Sequence, residues 1–203
     1  MEPLEIEVKF HLPDVTVTRN RILELGALAG GRVFETNIRF EDHEHSLIHH
    51  KALLRLRRDR KATLTYKSEP PIKDDEVKIL KELEVEVSDF ATTRQILESL
   101  GYHQEQVYEK WRETFTLDRT RFSIDNMPFG DFLEIEGAKA DIRDMADQLG
   151  MPWERRILLN YLELFDHLRT KLNLSFTDVT FRNFERIRFN PADWLNRYEA
   201  GCL

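Results

Sequence analysis

Charged and apolar residues alternate along several short stretches of this chain, and within most of them the charges share one sign. Glu5 and Glu7 flank Ile6, Glu82, Glu84 and Glu86 alternate with Leu83, Val85 and Val87, and Glu134 and Glu136 flank Ile135. Arg55 and Arg57 flank Leu56, and Lys110 and Arg112 flank Trp111. Successive side chains of a strand point to opposite faces, so each stretch predicts a strand with one ionic and one apolar face. The pattern predicts eight strands, at residues 4–10, 34–40, 53–57, 63–67, 82–87, 108–115, 122–125 and 132–136. Helical spacing marks 15–25, closed by Gly26, then 91–100, 142–149 and 157–172. Asn190-Pro191 reads as a cap and first-turn proline opening a short helix through residue 198. Residues 174–189 fit neither period, and residues 68–75, with Pro70 and Pro71, read as a long loop.

A single polar strand face ordinarily meets water. Rows of like charge are a different matter, because like charges opposite one another destabilise a sheet and ordinary surfaces intersperse the two signs. Closing eight antiparallel strands into a barrel provides an interior wide enough for one small ligand. The expected fold is therefore α+β: an eight-stranded antiparallel β-barrel, or tunnel, with a polar lumen and helices packed outside over the apolar strand faces. Hard divalent cations would neutralise the carboxylates, and a polyanion with repeated phosphoryl groups would neutralise the Arg and Lys rows.

Composition narrows the partners. Thirty Lys and Arg against thirty-seven Asp and Glu leave a net charge of -7 over 203 residues, which argues against nucleic acid as a partner. No apolar run approaches the roughly 18 residues of a membrane helix. The single cysteine, Cys202, cannot form an internal disulfide, and the expected location is the cytoplasm.

Glu5-Ile6-Glu7-Val8-Lys9 resembles the N-terminal E-x-E-x-K signature of the CYTH superfamily, the triphosphate tunnel metalloenzymes. The resemblance continues in family order through Leu54-Arg55-Leu56-Arg57, Thr65-Tyr66-Lys67, Glu82-Leu83-Glu84-Val85-Glu86, Lys110-Trp111-Arg112 and Gly130-Asp131-Phe132-Leu133-Glu134-Ile135-Glu136. A Tyr161-Leu162-Glu163-Leu164 segment follows near the expected end. The resemblance implies that Glu5, Glu7, Glu134 and Glu136 hold Mg2+ or Mn2+, with Glu84 helping to hold a second ion. It implies that Lys9, Arg55, Arg57, Lys67, Lys110 and Arg112 bind a triphosphate. Asp125 is then expected near the metals or orienting the nucleophile, with Lys67 and Lys110 beside it as catalytic groups. The implied activity is metal-dependent triphosphate hydrolysis, with inorganic tripolyphosphate favoured over thiamine triphosphate or a nucleotide. The alternatives are a class IV adenylyl cyclase making cyclic AMP and pyrophosphate, and a non-catalytic polyphosphate- or nucleotide-binding module. The expected organisation is a tunnel domain over residues 1–172 with an extension over 173–203 in the same unit, as a monomer or homodimer. Many members carry a tyrosine in the second strand near where Arg39 stands here, and the extension matches nothing in the family pattern.

Four other features carry less chemistry. Asp42-His43-Glu44-His45 with His49-His50 lacks structural-zinc spacing and reads as a solvated hairpin loop. Gly30-Gly31 reads as a turn, without a phosphate-loop pattern around it. Trp111 is expected to face outward and pack under the helix layer. Arg58, Arg60 and Lys61 form a basic hairpin tip.

Overall fold

The computed structural model describes residues 4–202. Eight strands run in chain order: β1 (Leu4–His11), β2 (Leu28–Glu41), β3 (Ala52–Arg58), β4 (Ala62–Ser68), β5 (Lys78–Val87), β6 (His103–Leu117), β7 (Thr120–Met127) and β8 (Gly130–Glu136). They close into a ring of order β1-β5-β4-β3-β2-β6-β7-β8, with every neighbouring pair antiparallel. The helices are α1 (Val15–Glu24), α2 (Ser46–His49), α3 (Phe90–Ser99), α4 (Lys139–Gln148), α5 (Tyr161–Leu172), α6 (Phe181–Phe184) and α7 (Ala192–Leu195).

The apolar strand faces point out of the ring. Val8, Phe10, Phe122, Ile124, Leu133 and Ile135 pack against Ile22 of α1 and against Ile142, Ala146 and Leu149 in and just beyond α4. Ile38, Phe40 and Leu56 pack with Leu97 of α3. Burying such residues stabilises the fold by about 1.5–3 kcal/mol each, so the helices serve the wall as an external core. Local chemistry starts and stops them. Asp14 accepts the backbone N–H groups of Thr16 and Val17 at 2.8 and 3.1 Å, and Gly26, at φ +89°, takes the left-handed conformation that releases the chain from α1. The cover is incomplete: Leu83 and Val85 on β5 remain 49% and 56% exposed. Trp111 also departs from expectation, since it faces outward but stays 38% exposed, against Phe34 and the Arg32 guanidinium rather than under a helix.

Beyond α5 the chain returns to the barrel. Val179 forms a parallel bridge to Tyr108, donating to Val107 O at 2.8 Å, while Glu109 N–H donates to Val179 O at 2.9 Å. This satisfies β6 backbone groups on the stretch before its pairing with β7 begins at Trp111. Phe165, Phe176, Phe184 and Trp194 then join Phe129, Phe132 and Tyr108 of the barrel in one aromatic cluster. The extension therefore packs over the end of the ring where β8 begins.

Some boundaries differ from the pattern-based reading. β2 starts at Leu28, and Gly30-Gly31 lies inside it rather than in a turn, at a β-bulge facing Thr114. Gly31 has φ +90°, and a Cβ on Gly30 would stand 2.6 Å from Thr114 Oγ1, so the pair suits a bulge with a close approach. The expected helix from 157 starts at 161, because Ile157 instead donates its N–H to Lys9 O at 2.7 Å. The histidine-rich loop contains the single turn α2, whose Leu47 and Ile48 N–H groups donate to the fully buried Glu41 carboxylate at 3.0 and 2.9 Å.

Candidate active site: a cavity with an acidic and a basic wall

Ring closure turns the like-charged rows into opposite walls. β8, β1 and β5 are neighbours and contribute Glu134 and Glu136, then Glu5 and Glu7, then Glu82 and Glu84. β3, β2 and β6 are neighbours across the ring and contribute Arg55 and Arg57, then Arg39, then Lys110 and Arg112. Together they line a cavity of about 550 Å³, within the range of small-molecule sites. Every residue expected in the site lines this cavity except Asp125.

Ion pairs knit the acidic wall internally, tie it to β4, and join it to the basic wall through Arg55 and Arg57. Lys9 meets Glu134 at 3.0 Å, Lys67 meets Glu82 at 3.3 Å and contacts Glu5, and Lys78 meets Glu7 at 3.5 Å. Arg57 reaches Glu84 at 3.4 Å, and Arg55 lies 3.7 Å from the same carboxylate. Arg55 also donates to Thr65 Oγ1 at 3.2 Å and to the Tyr108 hydroxyl at 3.3 Å. Among the described residues no three His, Cys, Asp or Glu side chains converge into an assembled metal cage.

Asp125 sits behind the cations, fully buried. Its Oδ1 accepts from Arg112 Nε at 2.6 Å, and its Oδ2 accepts from Lys110 Nζ and the Tyr161 hydroxyl, each at 2.9 Å. Its geometry is that of an anchor that aims Lys110 and Arg112 into the cavity. Tyr161, at the start of α5, also presents its ring 4.4 Å from Lys9 Nζ, a cation–π contact. Its placement depends on the Asn160 and Glu163 capping box that opens α5.

The carboxylates divide electrostatically. Burial would raise Glu134, but Lys9, Arg112 and Lys110 hold it well below the usual carboxylate range. Glu7 is likewise lowered, because Lys9 and Lys78 outweigh burial and the neighbouring Glu134. Glu5 is pushed up to about 7 by burial and by Glu7 and Glu82, against the pull of Lys67. Glu136 is also raised by burial, with Glu7 and Glu82 adding to it and Arg121 opposing. Glu5 and Glu136 are thus under-compensated carboxylates.

A stability consequence follows for Glu5. The folded state holds its proton to about pH 7, whereas the unfolded chain releases it near the ordinary 4.5. Between those values the folded state binds more protons, so this contribution is present at low pH and is lost as pH rises to about 7. In excess chelator, Glu5→Gln should therefore flatten part of the melting-temperature fall between pH 5 and pH 8. Identical pH profiles for the two proteins would contradict the elevated Glu5 value.

Lys78, Glu82 and Arg121 belong to the cavity and were not among the expected site residues. Parity could have found them: Lys78 and Glu82 share the register of Glu84, and Arg121 shares that of Asp125. Tyr108 shares the parity of Lys110 and Arg112 on β6, whereas Tyr161, on a helix, carries no such signal.

Comparison with known proteins agrees with this geometry. The chain is 29% identical over 143 residues to a candidate adenylate cyclase of Methanocaldococcus jannaschii, covering 70% of this chain and 81% of that one. A solved Pyrococcus horikoshii protein is 29% identical with a TM-score of 0.68, covering 79% of this chain and 98% of that one. The same fold occurs in a Hippeastrum protein at 16% identity and a TM-score of 0.59, over 80% of this chain and 95% of that one. That structure is described as a candidate adenylyl cyclase with a dominant triphosphatase activity. The CYTH domain model matches residues 3–150, and with a closed eight-stranded ring around opposed ionic walls, this chain belongs to the CYTH domain family.

Proposed function

We propose that the protein hydrolyses a triphosphate in this cavity with the help of a divalent cation, inorganic tripolyphosphate being the favoured substrate. The observation that carries the reading is the opposition of walls: binding a polyanion needs only the basic wall, and the acidic wall calls for a cation between them. The residues fit Mg2+ or Mn2+, since Glu5 and Glu136 are hard oxygen donors short of positive charge, with Glu7, Glu134 and Glu84 close by on the same wall. When bound, such an ion polarises a phosphoryl oxygen and acidifies a coordinated water.

The remaining roles belong to the protein's own side chains. Arg55 and Arg57 offer planar forks that grip two phosphoryl oxygens. Lys110 and Arg112, fixed by Asp125, hold charge where it develops on the transferred phosphoryl group. Lys9 and Lys67 position the chain from between the carboxylates. Hydrolysis joins a water oxygen to the terminal phosphorus and breaks its bridging bond, leaving orthophosphate and pyrophosphate. The cyclase reading rests on the name of the Methanocaldococcus relative and would join a ribose 3′-oxygen to the α-phosphorus instead.

The deciding assay is purified protein with Mg2+ or Mn2+ and tripolyphosphate, thiamine triphosphate or ATP, following orthophosphate, pyrophosphate and cyclic AMP separately. Orthophosphate and pyrophosphate in equal amounts from tripolyphosphate is the expected result. Cyclic AMP as the main product would establish the cyclase, and binding without turnover would establish a non-catalytic module.

A further inference from the structure

Arg39 differs from every other cation in the cavity. Lys9, Arg55, Lys67, Lys110 and Arg112, with the remaining lining cations, each have a carboxylate within 4.0 Å. Among the described residues Arg39 has no carboxylate or hydrogen-bond partner, although it is half-buried and lines the cavity. It lies directly across from Arg55 on the neighbouring strand, a like-charge pairing that destabilises a sheet unless something anionic relieves it.

Its place along the tunnel gives the unpaired charge a meaning. Arg39 is two residues from the end of β2 that leads into α2, and Ile48 and Lys51 line the same cavity there. Arg57, Lys110 and Arg112 lie farther from this end, so Arg39 and Arg55, level with each other, form the outer end of the basic row. Of the two, only Arg39 lacks a carboxylate among the described residues. Elsewhere in the row each positive charge already has a carboxylate partner. At the outer end one guanidinium is left over. A nucleoside triphosphate lying with its ester here would bring a neutral sugar to that charge. An inorganic tripolyphosphate ends in a phosphoryl group at both termini and would bring an anion.

We propose that Arg39 is a specificity residue that binds the second terminal phosphoryl group of inorganic tripolyphosphate, so that the cavity prefers this substrate over nucleoside triphosphates. This deepens the triphosphate reading above and rests on it. A solvated arginine at a cavity mouth is the competing account, and it makes no distinction between the two ligands.

The test is titration calorimetry in excess chelator with tripolyphosphate and with ATP, on the wild type and Arg39→Gln. Because Arg39 holds no partner, the substitution removes a like charge beside Arg55, and the melting temperature should hold or rise. Wild type should bind tripolyphosphate more tightly than ATP. Arg39→Gln should weaken tripolyphosphate binding by roughly ten- to a hundredfold, the scale of a lost charged hydrogen bond, while ATP moves by less than about threefold. Equal losses for both ligands, or none for either, would overturn the end-group role while leaving the triphosphate cavity standing. A wild type that binds neither ligand, with Mg2+ as well as in chelator, would remove the functional reading itself.

Discussion

Asp125→Asn is expected to lower stability by about 3 kcal/mol and to reduce activity at the same time. The carboxylate neutralises the buried Lys110 and the partly buried Arg112, and accepts the Tyr161 hydroxyl. Removing one partner of a buried ion pair leaves an uncompensated charge, at a cost of about 3–5 kcal/mol. The lower end applies here because Lys110 keeps Glu35 at 3.7 Å and Arg112 keeps Glu134. An amide has one accepting oxygen and a donating NH2 in place of the other, so at least one of the three donors would face another donor. For a chain of this size about 3 kcal/mol corresponds to a melting-temperature drop of roughly 6–12 °C. Asp166→Asn, at the cavity rim on a side chain 62% exposed, should move it by no more than about 2 °C. If Asp125→Asn melts like the wild type, the cations do not depend on that carboxylate, and its anchoring role fails.

Glu136→Gln should abolish most turnover without harming the fold. The substitution keeps the size of the side chain, removes a charged oxygen donor, and relieves repulsion with Glu7 and Glu82. Stability should hold or rise slightly. Loss of several kcal/mol of transition-state stabilisation predicts a fall in kcat on the order of a thousandfold or more, and excess chelator should reproduce it in the wild type. Glu86→Gln is the internal control. Its side chain is 61% exposed and occupied with Lys61 at 2.6 Å, so activity should be nearly unchanged. Full activity in chelator would remove the cation from the mechanism, and full activity of Glu136→Gln would remove Glu136 from its ligands.

The number of strands, and which side chains face the lumen, were already written in the alternation. Parity is a local property of the chain: once Glu5 points inward, Glu7 and Lys9 follow, and the same holds for Arg55 with Arg57 and Lys110 with Arg112. Sign segregation by strand likewise forecast a lumen that needs counter-charges. Other parts of the pattern misled where backbone geometry overrode composition. Gly30-Gly31 imitates a turn but serves a bulge within β2, and Trp111 has an apolar face to give but no helix placed over it.

Pairing across the lumen was not legible in this way, since it depends on ring order and shear rather than on period. The sequence by itself determined that acidic and basic rows exist and that they share an interior. Only the tertiary structure decided that β8, β1 and β5 stand together against β3, β2 and β6. It also decided that Asp125 lies behind two cations, that Tyr161 from a distant helix reaches it, and that Arg39 is left unpaired among the described residues. The physical reason is that the 3.8 Å step between residues fixes direction along a strand, whereas charge compensation acts over a few ångströms between residues far apart in the chain.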